Sequence, residues 1–305
     1  MAYSPWSPRI WALFLLLVVF WGLNYPFVNV GLAFASPLWL ATLRAGLGAL
    51  ATLVIVTGLR GWGTLDAAGR RDSLLLGLPN TALFFGLWFW AARSVLPGIA
   101  AVVIYTFPLW VAVLSNPVLG SRLTARHWVS VAIGFAGVAL ISQIGENGTG
   151  GVAWVAILEL LAAAVAWAMG TVLFQRRFPR EQMMEANAYQ LIGGTVALLA
   201  ATFLLTPTPI PQPTATLVGA VVWLGVVGTA LAYAIWTLLL GRTRAATLSA
   251  FLFLAPVVAL GVSAAYFGER LSLTQLAGVG LVLVSIYGIG RARWDPQSRQ
   301  SPSIG

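Results

Sequence analysis

The stretch that decides the fold is written twice: NTALFFGLW occupies residues 80–88 and GTALAYAIW occupies residues 228–236. Thr, Ala, Leu and Trp are identical in the two copies, at a constant offset of 148 residues. The same offset of 148 relates Pro108 to Pro256 and Leu123 to Leu271. An offset of 146 relates Trp21 to Trp167 and Arg44 to Gln190. The chain is therefore predicted to be a duplicated unit.

Composition places this chain in a lipid bilayer. Apolar residues make up 59% of its 305 residues, charged residues 8%, and the mean hydropathy is +0.89, whereas soluble domains carry about 25% charged residues. The net charge of +9 comes from 17 Arg spread singly, which is not the basic stripe of a nucleic-acid-binding protein. With no Cys, one His and no catalytic motif, the sequence predicts neither an enzyme nor a metal or other cofactor.

Hydropathy predicts the number of membrane-spanning helices and their orientation. A helix needs about 20 apolar residues to cross a bilayer, and ten such runs lie near residues 11–33, 37–59, 72–92, 95–118, 126–143, 152–175, 185–205, 214–240, 246–267 and 273–290. If both termini are cytoplasmic, 14 of the 17 arginines fall on the inside, as the positive-inside rule requires. We predict an all-α integral membrane protein with a first repeat over 1–146, a second over 147–293 and a disordered cytoplasmic tail over 294–305.

The duplication carries a functional implication. Because each predicted repeat has five spans, an odd number, the second repeat enters the membrane from the opposite side. Two inverted repeats are typical of transporters, whose sites form at the repeat interface near the membrane midplane and open alternately to each side. The alternative left open is a membrane scaffold or binding protein that does not transport, in which the duplication serves packing alone.

Several motifs resemble a known family. They are WGLNY at residues 21–25, the inward-facing Arg44, Pro108 and Pro256 in the fourth and ninth spans, and GERLS at residues 268–272. With the helix count and the duplication, they resemble the EamA family of the drug/metabolite transporter superfamily over about residues 10–290. The first copy of the last motif reads GSRLT and lacks the Glu present at Glu269. Within the family, the many aromatic residues make the chain most similar to aromatic amino acid exporters of the YddG type.

Polar and aromatic residues near the middle of the spans are the candidates for substrate contact. An amide at the membrane centre is costly unless it meets a partner or lines a wet cavity, which favours a functional role for Asn24 and Asn80. Aromatic rings offer faces for stacking and for cation–π contact. The residues predicted to bind substrate are Asn24, Tyr25, Asn80, Phe84, Trp88, Tyr105, Trp167, Tyr233, Trp236 and Ser249.

Three prolines inside predicted spans, Pro26, Pro108 and Pro256, are candidates for kinks or gating hinges. Proline removes one helical hydrogen bond and frees the carbonyl four residues earlier. At Pro26 this predicts a break in the first helix, with Asn24 either touching substrate or bonding the freed carbonyl. At the other two prolines, the freed carbonyls are predicted either to accept from a substrate ammonium or to serve only a gating kink.

Arg44 and Glu159 are the charged residues predicted to lie within spans. A charge inside the membrane indicates function by default. Both, however, lie about seven residues from the predicted outer surface, roughly 10 Å at 1.5 Å per residue. Three interpretations stay open: a structural ion pair, proton coupling, and binding of a substrate carboxylate.

These observations predict an exporter in a bacterial inner membrane that works by alternating access. Its favoured substrates are aromatic and other hydrophobic amino acids, since amides, kink carbonyls and aromatic rings suit a zwitterion with a flat apolar side chain. The first alternative is a proton-coupled exporter of lipophilic cations that uses Glu159. The predicted partners are a small-molecule substrate and the lipid bilayer, and the sequence identifies no protein partner.

Overall fold

The computed structural model of the chain describes residues 8–59, 61–119, 124–141, 150–206, 209–241, 248, 252, 254–268 and 270–291. All regular secondary structure within these residues is helical. Three predicted features lie outside them: the site residue Ser249, Glu269 of the GERLS motif, and the tail 294–305.

The described helices follow one another along the chain as α1 (Pro8–Leu32), α2 (Pro37–Gly58), α3 (Ala67–Gly77), α4 (Phe84–Ala92), α5 (Pro97–Ile104), α6 (Phe107–Leu119), α7 (Ala125–Ile141), α8 (Gly150–Arg177), α9 (Met183–Leu205), α10 (Ala215–Val222), α11 (Ala232–Leu240), α12 (Leu254–Phe267) and α13 (Leu273–Arg291). A short 3-10 turn precedes α9. Two π-helical segments complete the series. The first π segment, Leu78–Leu83, joins α3 to α4, and the second π segment, Trp223–Leu231, joins α10 to α11.

By length and composition, seven helical runs of the described residues are suited to crossing a bilayer. They are Pro8–Leu32, Pro37–Gly58, Ala67–Ala92, Pro97–Ser115, Trp154–Arg177, Arg180–Leu205 and Ala215–Leu240. Shorter apolar helices cover Trp128–Gly137, Leu254–Phe267 and Leu276–Ser285. These spans indicate a multi-pass membrane protein. The count of ten helices, the repeat boundaries and the cytoplasmic placement of both termini stay predictions.

Local sequence explains where several helices begin. Pro37 and Pro97 lie in the first turns of α2 and α5, where the missing amide proton costs no helical hydrogen bond. The side chains of Asp66 and Thr214 accept hydrogen bonds from backbone amides three residues later, at 2.7 and 3.2 Å. They cap α3 and α10, the helices that lead into the two π segments.

Both copies of the repeated word coincide with π-helical turns, which the sequence analysis did not predict. Each π segment ends at the Leu of its TAL triplet, Leu83 in the first copy and Leu231 in the second. In the second copy, the Thr229 hydroxyl donates to the carbonyl of Leu224 at 2.8 Å, which satisfies a carbonyl of the wide turn. Turns of this kind occur frequently at functional sites.

The first and second halves of the described chain pack against each other. Helices α2 and α3 lie against α9, α4 and α6 lie against α8, and α1 lies against α12. The approach of α3 to α9 is close because glycines line it: a Cβ at Gly77 or Gly193 would collide with backbone atoms of the facing helix. A central region between the two halves is thereby enclosed by helices from both.

The predicted break at Pro26 is wrong. Helix α1 runs through Pro26 without interruption, and a membrane helix tolerates one proline where neighbouring helices satisfy the freed backbone group. Asn24 does not bond a carbonyl freed near Pro26 in the described structure. Its Nδ2 instead donates to the carbonyl of Gly228, in the other half of the chain, at 3.3 Å.

A helix interruption lies just before Pro108. Helix α5 ends at Ile104, α6 begins at Phe107, and the two residues between them form a turn. Pro108 is the second residue of α6 and Pro256 is the third residue of α12. Both prolines therefore lie in a first helical turn, where the missing amide proton costs little.

Candidate functional site

A buried cavity lies between the two halves of the chain. Its lining residues come from α1, α2, α4, α8, α11 and the turn between α5 and α6: Trp21, Asn24, Tyr25, Arg44, Phe84, Trp88, Tyr105, Trp167 and Tyr233. Its volume is about 20 Å³, which is room for about one water molecule. We call it the central cavity.

The central cavity brings together most of the residues predicted to bind substrate, namely Asn24, Tyr25, Phe84, Trp88, Tyr105, Trp167 and Tyr233. Trp236 lies beside it, with its ring centroid 5.4 Å from that of Trp21. Trp21 is a lining residue that the prediction omitted. The signal was present, because Trp21 is the repeat partner of Trp167, and the two rings meet edge to face at 5.3 Å.

Arg44 is the charged residue of the central cavity, and it is 1% exposed. Its Nε donates to the hydroxyl of Thr229 at 3.0 Å and its Nη2 to the carbonyl of Gly228 at 3.4 Å. The guanidinium carbon lies 4.1 Å from the ring centroid of Phe85 and 5.0 Å from that of Trp88. Aromatic faces and neutral oxygens therefore hold the charge in place.

The interpretation of Arg44 and Glu159 as an ion pair needs correction. The ion pairs of the described residues join Arg70 to Glu185 and Asp72 to two arginines, and neither Arg44 nor Glu159 takes part in them. Glu159 instead lines a separate groove of about 610 Å³ between α4 and α9, among apolar side chains. Within the part of the chain that the structure describes, Arg44 is a buried cation without a carboxylate partner. A buried charge without an ion-pair partner is costly unless hydrogen bonds, aromatic faces or a ligand compensate it.

Four polar atoms of cavity-lining side chains are buried and have no hydrogen-bond partner among the described residues. They are the acceptor Asn24 Oδ1, the donors Arg44 Nη1 and Trp88 Nε1, and the hydroxyl Tyr233 Oη. A buried polar group left unpaired costs about 1–3 kcal/mol, and native proteins leave few of them. Because four of them line one cavity, that cavity is the candidate site for a polar ligand.

An amide meets a glycine at two equivalent places in the duplicated sequence. Asn24 packs against Gly228, and Asn80 packs against Gly170; in each case a Cβ on the glycine would collide with the amide. The repeat offsets relate Asn24 to Gly170 and Asn80 to Gly228. The amide of each contact therefore occupies the repeat position that the glycine occupies in the other contact. Asn80 lies outside the lining of the central cavity, and its Nδ2 donates to Gln190 Oε1 at 2.8 Å.

Comparison with known proteins decides the family. The profile of the EamA-like transporter family matches residues 9–143 and again residues 154–291. The chain belongs to this family. This EamA-family protein is therefore a multi-pass membrane transporter, and the alternative of a scaffold that does not transport is set aside.

Relatives of this EamA-family transporter cover most of its length. "Uncharacterized transporter YvbV" of Bacillus subtilis is 30% identical over 274 residues, 88% of each chain. A "probable amino-acid metabolite efflux pump" of Salmonella typhimurium is 30% identical over 90% of this chain and 92% of its own. "Uncharacterized inner membrane transporter YedA" of Escherichia coli is 28% identical over 94% and 92%. One solved crystal structure has a TM-score of 0.68 at 20% identity, covering 93% of this chain and 98% of the other, and supports the fold alone.

A buried carboxylate that was not predicted from the sequence lies at one end of α9 in this EamA-family transporter. The Glu185 side chain is 1% exposed, and its Oε2 accepts from Thr64 N at 2.6 Å, Thr64 Oγ1 at 2.7 Å and Leu65 N at 3.1 Å. These bonds tie the loop between α2 and α3 to the first turn of α9. In the predicted orientation this end faces the cytoplasm.

Asn80→Ala tests the revised position of Asn80. We expect the variant to lose about 1–3 kcal/mol of stability, because Gln190 keeps a buried amide oxygen with no donor. Its affinity for a cavity ligand should change less than about twofold, since Asn80 does not line the cavity. The matched control is Asn24→Ala, which removes a lining amide. Thermal unfolding in detergent and ligand titration give the two readouts; a larger loss of affinity in Asn80→Ala than in Asn24→Ala contradicts the assignment.

Proposed function

We propose that this transporter exports aromatic and other hydrophobic amino acids across the bacterial inner membrane. The observation that carries the proposal is Arg44, a buried cation without a carboxylate partner among the described residues, in a cavity lined by aromatic rings. A substrate carboxylate supplies the missing anion. Arginine suits this role because its guanidinium presents several donors in a fixed plane and is always charged.

The unpaired atoms of the central cavity match the head group of an amino acid. Arg44 Nη1, Trp88 Nε1 and Tyr233 Oη supply donors for a carboxylate. Asn24 Oδ1 supplies an acceptor for an ammonium group, and the surrounding aromatic faces stabilise a cation as well. One zwitterion thus satisfies groups that are costly when they stay unpaired, without needing a buried acidic side chain.

Aromatic rings around the cavity favour an apolar, flat side chain on the substrate. The ring of Tyr25 lies 4.7 Å from that of Trp88, and Phe84 stacks on Trp88 at 5.5 Å with an interplanar angle of 30°. Ring contacts of this kind contribute about 0.5–1.5 kcal/mol beyond the burial of area. The relative of Salmonella typhimurium named as an amino-acid metabolite efflux pump lends further support to this substrate class.

Alternating access is the proposed mechanism, in ten helices arranged as two inverted repeats, 1–146 and 147–293, with both termini cytoplasmic. Three observations support it: the double match to the family profile, the two π segments that end at equivalent positions, and the two amide–glycine contacts. A cavity of about 20 Å³ is too small for an amino acid. Binding therefore requires the two halves to separate on one side at a time.

Flux in proteoliposomes tests the proposed function. Purified protein is reconstituted, and movement of labelled L-phenylalanine and L-tryptophan is followed with and without a pH gradient. We expect both to move faster than in protein-free vesicles; stimulation by a gradient that drives protons in the direction opposite to the amino acid indicates proton antiport. If neither amino acid moves and a lipophilic cationic dye does, the proposal is wrong.

Export of lipophilic cations is a second candidate function, favoured by the groove that holds Glu159. An apolar body fits against its side chains, and Glu159 supplies the negative charge for an amine. If this function is present, Glu159→Gln abolishes dye movement and leaves phenylalanine movement unchanged. Dye movement that does not respond to Glu159→Gln removes the second candidate.

A further inference from the structure

Three aromatic rings in parallel form the closest stack among the described residues. The ring centroid of Trp167 lies 3.8 Å from that of Phe107, at an interplanar angle of 15°. It lies 4.9 Å from the ring centroid of Phe84, at an interplanar angle of 17°. All three side chains are buried. Parallel rings do not approach closer than about 3.5 Å, so two phenyl rings at these distances on one face of the indole would overlap. They therefore lie on opposite faces of Trp167.

The two walls of this stack and the ring between them come from different halves of the chain. Phe84 belongs to α4 and Phe107 to α6, whereas Trp167 belongs to α8. The walls form a slot with room for one flat ring, and in this structure the slot is filled by a side chain of the opposite half. Because Phe84 and Trp167 also line the central cavity, the slot and the cavity are adjacent.

The size of the central cavity adds a constraint. A volume of about 20 Å³ leaves no space for the ring of an aromatic amino acid. A ring that binds here must displace a group already present. Trp167 is the group whose withdrawal opens a flat space bounded on both faces by aromatic rings.

We propose that Trp167 is a plug that occupies the place of the substrate's aromatic ring. When the halves separate, Trp167 leaves the slot between Phe84 and Phe107, and the ring of the substrate takes its place with the amino acid head group near Arg44. The inference rests on the proposed amino acid export. It assigns Trp167 a role opposite to that of a cavity wall, because a plug competes with the substrate whereas a wall stacks on it.

The plug explains two properties of the site together. In the absence of substrate, Trp167 keeps the slot filled and the cavity closed to an amino acid. With substrate, only a flat ring restores both stacking contacts, since an aliphatic side chain has no face to offer. The slot thus selects aromatic over aliphatic amino acids, while Arg44 and its neighbours bind the head group that all amino acids share.

The test compares Trp167→Leu with the wild-type protein in equilibrium binding of labelled L-phenylalanine and L-leucine in detergent. The apparent affinity of a site is its intrinsic affinity multiplied by the fraction of time for which the site is open. If the plug fills the slot about 90% of the time, the slot is open about 10% of the time, and removal of the plug tightens binding about tenfold. We expect that tightening for phenylalanine and a smaller one for leucine. Phenylalanine that binds more weakly to Trp167→Leu than to the wild type overturns the plug and makes Trp167 a wall.

The matched control is Trp223→Leu. Trp223 also stacks in parallel on a phenylalanine, with its ring 4.8 Å from that of Phe27 at 14°, but it lies outside the lining of the central cavity. We expect its phenylalanine affinity to equal that of the wild type. If both variants bind phenylalanine more tightly by the same factor, the gain comes from a general loosening of helix packing, and the plug proposal is wrong.

Free indole separates failure of the plug from failure of the proposed function. Trp167→Ala leaves a space in the slot with the size of the indole that was removed, and free indole can bind there. Indole should therefore raise the melting temperature of this variant and leave that of the wild type, whose slot is filled, unchanged. If indole stabilises Trp167→Ala but no amino acid binds either protein, the slot stands and the amino acid proposal fails. If indole has no effect on Trp167→Ala while the wild type binds phenylalanine, the plug fails and the proposed function stands.

Discussion

Replacement of Arg44 by glutamine is expected to abolish the proposed amino acid transport while the protein stays folded. We expect a loss of at least about 100-fold in flux, because removal of one partner of a buried, hydrogen-bonded ion pair costs about 3–5 kcal/mol. The melting temperature should stay unchanged or rise. Without substrate, Arg44 is an uncompensated buried charge in the described structure, held by Thr229 and Gly228, and a neutral amide is less costly to bury. Flux in proteoliposomes and thermal unfolding in detergent measure the two effects.

Two further variants sharpen this prediction. Arg44→Lys keeps the charge but lacks the planar fork of donors, so we expect it to restore only a small part of the flux. Arg93→Gln is the matched control: Arg93 also lies over a ring, that of Trp90 at 4.0 Å, but outside the central cavity, and its flux should equal that of the wild type. Wild-type flux in Arg44→Gln would falsify the assignment of Arg44 to substrate.

Gly77→Ala is expected to destabilise the protein strongly. A Cβ at Gly77 meets the backbone of α9 at Gln190, Gly193 and Gly194, and backbone cannot rotate away as a side chain can. Overpacking costs about 1–3 kcal/mol even where side chains adjust. We therefore expect the melting temperature to fall by about 5–10 °C, measured by thermal unfolding in detergent.

Gly219→Ala supplies the matched control for the same chemical change. Gly219 also lies within a helix, α10, but a Cβ there has no heavy atom within 4 Å. Alanine is a better helix former than glycine by about 0.5–1 kcal/mol, so its melting temperature should hold or rise slightly. Equal falls in the two variants contradict the backbone contact between α3 and α9.

The sequence predicted most of the helices because their signal is local. A run of about 20 apolar residues indicates a membrane span, whatever contacts the run makes with the rest of the chain. The π segments escaped prediction, since the Thr229 hydroxyl that bonds Leu224 resembles any other Thr in an apolar helix. The break predicted at Pro26 failed for a related reason: local rules describe an isolated helix, while Pro26 is buried against other helices.

Residue types near the middle of the spans predicted much of the central cavity. Trp167, Tyr233 and Asn24 converge there, as expected of residues near the middle of spans that meet at a repeat interface. The partners of the polar groups were beyond the sequence, since they depend on rotamers and on contacts between distant residues. Asn80 bonds Gln190, 110 residues away, and Arg44 bonds Thr229, 185 residues away. From the sequence, three roles stay open for Arg44, and among the described residues its surroundings exclude only the ion pair with Glu159.

Equilibrium binding of L-phenylalanine and L-phenylalaninamide to the wild-type protein tests the central claim most directly. The amide keeps the ring and the ammonium group but replaces the carboxylate that we assign to Arg44. We predict that the wild type binds phenylalanine at least about 100-fold more tightly than the amide, as expected of a site built around one charged group. We also predict that Arg44→Gln loses this preference. Equal binding of the two ligands to the wild type, or a preference that survives in Arg44→Gln, would contradict the account.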